Sequence, residues 1–254
     1  LFQNVQTYIK AMRYSSTRGQ VKNLFFEDAV MMGLADDGGL LVPNELPFVV
    51  NNLDKWRSLS FKELSLEIML LFTSEKIPRE DLIRIVKQSY SSFHHPEITP
   101  VKLVGNLHIL ELFHGPTFAF KDVALQFLGN LFAFFLEKRN HPLRILGATS
   151  GDTGSAAIQG LRGKQGVDVF MLYPKGRVSE IQELQMTTVF DSNIHNIAVE
   201  GSFDDAQGIV KSIFNDNKFK NNFHLASVNS INWARILAQI VYYFYAWFRV
   251  SRDI

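Results

Sequence analysis

From His108 onward, short apolar runs alternate with helix-like stretches: HILEL before 121–138, RILGA before 153–162, DVFMLY before 179–188, NIHNIAV before 204–215 and HLASV before 231–249. Strand-sized runs recurring between helix-sized segments are joined most simply as parallel strands with crossover helices. The alternation therefore predicts an open, mostly parallel α/β sheet with flanking helices over residues 106–254. Residues 1–105 have another texture, mainly helical with Pro and Gly punctuation. Ser60-Phe61-Lys62-Glu63 has capping-box spacing ahead of an apolar face at Leu64, Ile68 and Leu71, and Pro78 opens a further helix through Leu82, Ile85 and Val86. No period of 20–50 residues and no low-complexity stretch interrupts this two-part organisation. In such sheets ligands bind beyond the carboxyl ends of the strands, where loops hand over to helix N-termini, so chemistry is sought there.

The chain has 254 residues, which suits one large domain or two ordinary ones, and with 46% apolar and 20% charged residues it is not a disordered composition. With 26 Lys and Arg against 25 Asp and Glu, the formal charge is +1. No global basic field is available for nucleic acid or an anionic membrane, and neither partner is expected. The absence of Cys removes disulfides, thiolate zinc sites, Fe–S clusters and cysteine nucleophiles, and leans towards a cytoplasmic setting. The opening LFQNVQTYIK has no apolar core of a secretory signal and is set aside from the functional reading. The apolar stretch Ile236–Phe248, broken by Gln239, is short against the roughly 18–20 residues of a membrane span and reads as a buried helix. The aromatic crowding at Phe132, Phe134 and Phe135 reads as packing.

Three strand-to-helix turns carry candidate chemistry. In Leu112-Phe113-His114-Gly115-Pro116-Thr117-Phe118-Ala119-Phe120-Lys121-Asp122, Lys121 sits at a helix start in an aromatic setting. Desolvation by Phe118 and Phe120 together with the positive helix end would favour the neutral amine that a Schiff base requires; the bland alternative is a solvated Lys paired with Asp122. His114 reads as a turn histidine as readily as an acid–base group. In Gly147-Ala148-Thr149-Ser150-Gly151-Asp152-Thr153-Gly154-Ser155, backbone N–H groups and hydroxyls form a cradle for a carboxylate or phosphate, or else an ordinary N-cap with small packing residues. In Ser227-Val228-Asn229-Ser230-Ile231-Asn232-Trp233-Ala234-Arg235, the Arg235 fork could reach an anion held at Asn229 and Ser230, or saturate a nearby carboxylate. A P-loop is excluded because Ile158 stands where the first Gly belongs and Gln165 replaces Ser or Thr. Neither a metal-ligand spacing nor a Gly-x-Ser-x-Gly elbow occurs; His94 and His95 are adjacent, so their side chains diverge.

Together with Tyr14-Ser15-Ser16-Thr17-Arg18-Gly19, Gly33-Leu34-Ala35-Asp36-Asp37-Gly38-Gly39-Leu40 and YPKGRVSEIQELQMTTV, these turns resemble the fungal and bacterial threonine synthases, in order, from about residue 13 to 250. The resemblance implies a tryptophan-synthase β-like fold (fold type II), the cofactor pyridoxal 5'-phosphate, and conversion of O-phospho-L-homoserine and water to L-threonine and phosphate. It makes Lys121 the Schiff-base lysine and proton shuttle, with the cofactor as electron sink. It puts Thr149, Ser150, Asp152 and Thr153 around the substrate carboxylate and cofactor ring, Asp152 standing where many relatives of this fold type carry Asn beside the ring hydroxyl. It assigns the substrate phosphate to Asn229, Ser230 and Arg235. It also implies a further half of similar size, with a Gly-rich loop for the cofactor phosphate and a hydroxyl partner for the ring nitrogen, neither found in these residues. Two other readings stand beside it: a non-catalytic binding or signalling remnant of the same family, and a related serine or threonine dehydratase, which needs no phosphate clamp.

Overall fold

A computed structural model describes residues 12–73, 76–137, 139 and 141–251. The opening decapeptide and the last residue of the helix predicted over 121–138 lie outside them. The N-terminal region pairs β1 (Tyr14–Ser16) antiparallel with β2 (Leu41–Pro43) around α1 (Phe26–Met32), and continues through α2 (Leu53–Trp56), α3 (Phe61–Thr73) and α4 (Arg79–Ser89). The capping box is formed: the Glu63 carboxylate accepts from the Ser60 backbone N–H at 2.8 Å, and Ser60 Oγ accepts from the Glu63 N–H at 3.4 Å.

A hairpin of β3 (Val101–Val104) and β4 (Leu107–Leu110) follows, then α5 (Asp122–Leu136). The remaining elements alternate: β5 (Leu143–Ala148), α6 (Asp152–Leu161), β6 (Val167–Pro174), α7 (Glu180–Thr187), β7 (Ile194–Val199), α8 (Phe203–Asn215), α9 (Asn217–Asn222), β8 (Leu225–Ala226) and α10 (Trp233–Val250). The four later strands form one parallel sheet in the order β7-β6-β5-β8, as the alternation predicts.

The first apolar run behaves otherwise. HILEL was expected to open the parallel sheet, but Leu107–Leu110 pairs antiparallel with β3, closed by the two-residue loop Gly105-Asn106 with Gly105 at φ +59°. A tight turn that Gly permits lets a local partner win before any long-range pairing forms. The boundary drawn at 105/106 falls inside this turn. The HLASV run supplies only two paired residues, opposite Arg144 and Ile145.

Alternate residues of β5 and β6 serve the two faces of the sheet. Ile145, Val169 and Met171 join the main core, while Leu146, Phe170 and Leu172 meet Ala206, Val210, Ile213 and Phe214 of α8. The main core runs from Met12 to Phe248 and so includes both sequence regions. At its centre lies α5, buried at every residue except Ala133; Phe127, Phe132, Phe134 and Phe135 are all core side chains, each adding about 1.5–3 kcal/mol of burial. One face of α10, including Leu237, Val241 and Tyr245, covers it, and among the described residues no helix is long and apolar enough to cross a membrane.

Helices α5 and α6 approach so closely that glycine is required at the crossing. A Cβ on Gly129 would lie 2.0 Å from the Gly160 carbonyl oxygen, and one on Gly160 would lie 2.5 Å from the Leu125 carbonyl oxygen. Backbone cannot yield as a side chain can. Gly129→Ala should therefore lower unfolding free energy by about 3 kcal/mol, the upper end of ordinary overpacking, in urea titrations; a change within experimental error would show that the helices can separate freely.

Candidate active site

The β5–α6 and β8–α10 junctions lie at the carboxyl ends of neighbouring strands, and both line a cavity of about 690 Å³. Thr149, Ser150 and Thr153 contribute from one side, Ser227, Asn229 and Ser230 from the other. Thr149 is buried, and its Oγ1 accepts from the backbone N–H groups of Gly151 (3.0 Å) and Gly154 (2.8 Å), so this hydroxyl braces the turn. Gly151 has φ +146°, a conformation that L side chains rarely adopt. Across the cavity, Asn229 Oδ1 accepts from the Ile231 N–H at 3.1 Å, and Asn232 caps α10 by accepting from the Ala234 N–H while its Nδ2 donates to the Val30 carbonyl at 2.8 Å.

The third turn reaches this place by a side chain. Lys121 Nζ donates to Asp152 Oδ2 at 2.5 Å, joining turns separated by 31 residues. The lysine side chain is 18% exposed and that of Asp152 42%. Lys121, Asp152 and Arg235 stand outside the residues lining the cavity, so the first two flank it beside Thr153.

The surroundings of Lys121 depart from the aromatic enclosure expected. Phe120 does lie over the amine, 4.5 Å from ring centroid to Nζ, but Phe118 is 64% exposed and stacks on His94 instead. Phe118 sits at φ +61°, a conformation uncommon for a residue with a bulky side chain. The expected bland partner is also wrong. Asp122 is buried and accepts from the Thr117 N–H (2.8 Å) and Thr117 Oγ1 (2.7 Å), leaving Asp152 to pair with Lys121. Burial raises the Asp122 carboxyl above its ordinary range, partly offset by these hydrogen bonds. His114 pairs through Nε2 with Glu111 Oε2 at 2.8 Å, and among the described residues no cluster of three or more His, Asp or Glu could hold a metal ion.

A family model described as the N terminus of threonine synthase matches residues 13–90. The threonine synthase of Schizosaccharomyces pombe is 55% identical over 251 residues, covering 94% of this chain and 49% of that protein. The crystal structure of the threonine synthase of Brucella melitensis with PLP bound superposes with a TM-score of 0.90 at 45% identity, over 95% of this chain and 53% of the other; that of yeast gives 0.88 at 51% identity, over 96% and 51%. The chain matches the N-terminal half of threonine synthases. It spans about half the length of the relatives it matches, and its α/β fold is that of the threonine synthase structures over this span.

Sequence reasoning missed part of the cavity wall. Gln207 and Lys211 of α8 line it, as do Asp36 and Lys220, whose ion pair at 3.3 Å spans 184 residues of sequence. No local pattern marks such residues, because only the tertiary fold brings α8 and α9 to the loop after α1.

Of the residues the sequence singles out, Arg235 is the least satisfied. It is 3% exposed, its Nε and Nη1 have no hydrogen-bond partner among the described residues, and desolvation lowers its pKa to about 10. A buried cation without a partner costs stability, which an anion would recover. Arg235→Met should therefore stabilise the unliganded protein by about 1–3 kcal/mol in urea unfolding, the penalty range of an unsatisfied buried polar group; destabilisation by that amount would show that the guanidinium is already compensated. For Asp122, the raised folded pKa means that its contribution is fully present below the unfolded value of about 4 and is lost as pH rises through the folded value. The stability of wild type relative to Asp122→Asn should accordingly fall between acid and neutral pH. An advantage that grows with pH would reverse the sign.

Proposed function

We propose that this chain forms the lysine-bearing half of a threonine synthase, which converts O-phospho-L-homoserine and water to L-threonine and phosphate with pyridoxal 5'-phosphate. The observation carrying this reading is the convergence of Lys121 Nζ on Asp152 at the start of α6, beside a cavity edged by two helix N-termini. A cytoplasmic setting belongs to the same reading.

The residues present fit the cofactor and an anionic substrate. Lys121 offers a partly buried primary amine for an aldehyde, and Arg235 offers buried unpaired donors for an oxyanion. Asp152 would hold the ring from its hydroxyl side. When bound, the cofactor supplies an electron sink for carbanion chemistry.

The chain's own groups do the rest. Lys121 Nζ takes and returns protons, and the Asp152 carboxylate accepts a hydrogen bond from it at 2.5 Å, fixing the amine's direction. Ser150 and Thr153 turn hydroxyls and the positive end of α6 towards a substrate carboxylate, with Thr149 holding the turn that presents them. Asn229 and Ser230 offer polar atoms to the phosphate, and Arg235 supplies the positive charge nearest in sequence to that junction. A phosphorylated substrate is favoured over the unphosphorylated amino acids of a dehydratase because Arg235 is a buried cation with two nitrogens that find no hydrogen-bond partner among the described residues.

Incubation with pyridoxal phosphate, borohydride reduction and peptide mass spectrometry should place a pyridoxyl group on Lys121. Lys164 is the informative competitor, since burial lowers its pKa and its Nζ donates to the neutral Asn130 side chain at 2.6 Å. A label on Lys164 with Lys121 unmodified would overturn the assignment. Lys121→Ala should abolish the label while leaving the far-ultraviolet circular dichroism unchanged. Phosphate release from phosphohomoserine, with no turnover of homoserine or serine, separates this activity from a dehydratase.

A further inference from the structure

The segment YPKGRVSEIQELQMTTV enters the site through α7, and the catalytic reading leaves it without a role. Helix α7 is anchored at both ends: Ser179 Oγ accepts from the Gln182 N–H, and Asn196 Nδ2 on β7 donates to the Met186 carbonyl at 2.9 Å. Its inward residues fall at helical spacing and touch both turns that carry the Lys121–Asp152 pair. Gln185 Nε2 donates to the Thr117 carbonyl at 3.2 Å. The Gln182 side chain fills the space beside Gly151, where a Cβ would lie 2.1 Å from Gln182 Oε1, and Met186 Sδ closes on Gly154 in the same way at 2.8 Å. Residues 181 and 184, an Ile 72% exposed and a Leu 49% exposed, face away.

The turn from Thr117 to Lys121 needs such a support. It follows no strand of the parallel sheet, it contains Phe118 at φ +61°, and its backbone N–H groups bond only locally: Thr117 N–H to the Asp122 carboxylate, and Phe118 N–H to the Gly115 carbonyl at 3.1 Å. Gln185 supplies a bond to it from 68 residues away, on an element fixed to the sheet.

We propose that Gln185 is a positioning residue that holds the Thr117–Lys121 turn at the distance from Gly151 and Asp152 that Lys121 requires, with Gln182 and Met186 as the spacer on the other turn. The inference rests on reading Lys121 as the cofactor-bearing amine, but the clamp itself is testable without cofactor. In hydrogen–deuterium exchange on the unliganded protein, Gln185→Leu and Gln185→Glu both remove the donor while keeping the reach. Each should speed exchange at the Thr117, Phe118 and Asp122 amides by roughly three- to tenfold, the factor one ordinary hydrogen bond supports. The amides of β5 and β6 should keep their wild-type rates. With pyridoxal phosphate added, the pH midpoint of the visible band of the lysine-bound cofactor should shift in both variants.

Unchanged exchange at the turn, or an equal increase throughout the sheet, would overturn the clamp, the second result marking an ordinary stability role. An unshifted band midpoint in variants that do bind the cofactor would equally overturn it. A wild-type protein that forms no band would sink the cofactor reading, while the exchange rates would still decide the role of Gln185.

Discussion

The backbone contact between α5 and α6 sets the geometry on which the site depends. Gly129 follows Lys121 by eight residues and Gly160 follows Asp152 by eight. Two α-helices in contact at those glycines, running in the same direction, reach their N-termini after the same rise of about 12 Å, and so they deliver Lys121 and Asp152 to one place. The absence of side chains at the crossing keeps the axes close; anything larger would spread the starts of the helices as well as their middles. The two positive helix ends then face a common region, with Asp122 and Asp152 in the first turns as their internal complements. The ion pair is in this sense a consequence of helix packing.

Two of the residues around the Lys121–Asp152 pair and the start of α10 are ones that a fold selected for stability alone would avoid. Arg235 is buried with two nitrogens unpaired among the described residues, and Phe118 holds a left-handed backbone conformation that costs energy for a residue of its shape. Such costs persist where surrounding structure over-determines them. Around Arg235 the cap at Asn232, bonded to the Val30 carbonyl, pins the start of α10 and leaves the guanidinium little freedom to seek solvent. Around Phe118 the buried Asp122 carboxylate ties down the turn, even though burial raises the pKa of that carboxyl. In the proposed reading, the stability given up at Arg235 is what a bound anion would recover.

What could be read from the sequence divides along the range of the forces involved. Helices predicted over 153–162, 179–188 and 204–215 occur within one or two residues as α6, α7 and α8, because apolar spacing and caps such as Ser179 and Ser202 act locally. The three turns were recognisable as helix starts for the same reason. The HILEL strand departs from the expected parallel sheet because its composition specifies a strand but not a partner, and the Gly105-Asn106 turn decides the partner. The expected aromatic enclosure of Lys121 fails at Phe118, whose exposed ring stacks on His94, a partner that only the tertiary fold supplies. The contributions of Gln207, Lys211 and Gln185 had no sequence signature, being set by which helix meets which loop.

These last residues show why a motif-level reading identifies a site before it explains one. The Lys121 turn and the α6 turn each contain recognisable chemistry, yet neither fixes its distance to the other. The glycine crossing sets that distance from behind the site, through the axes of α5 and α6, and α7 sets it from the front, through Gln185 on one turn and Gln182 and Met186 on the other. A hydrogen bond of 2.5 Å between Lys121 and Asp152 tolerates little displacement of either end. Two independent constraints on one short distance are what a reacting amine needs, because an error of about 1 Å in the placement of a catalytic group can cost a hundredfold in rate. By this reasoning the small residues at 129, 151, 154 and 160 and the inner face of α7 belong to the proposed site as much as the lysine does.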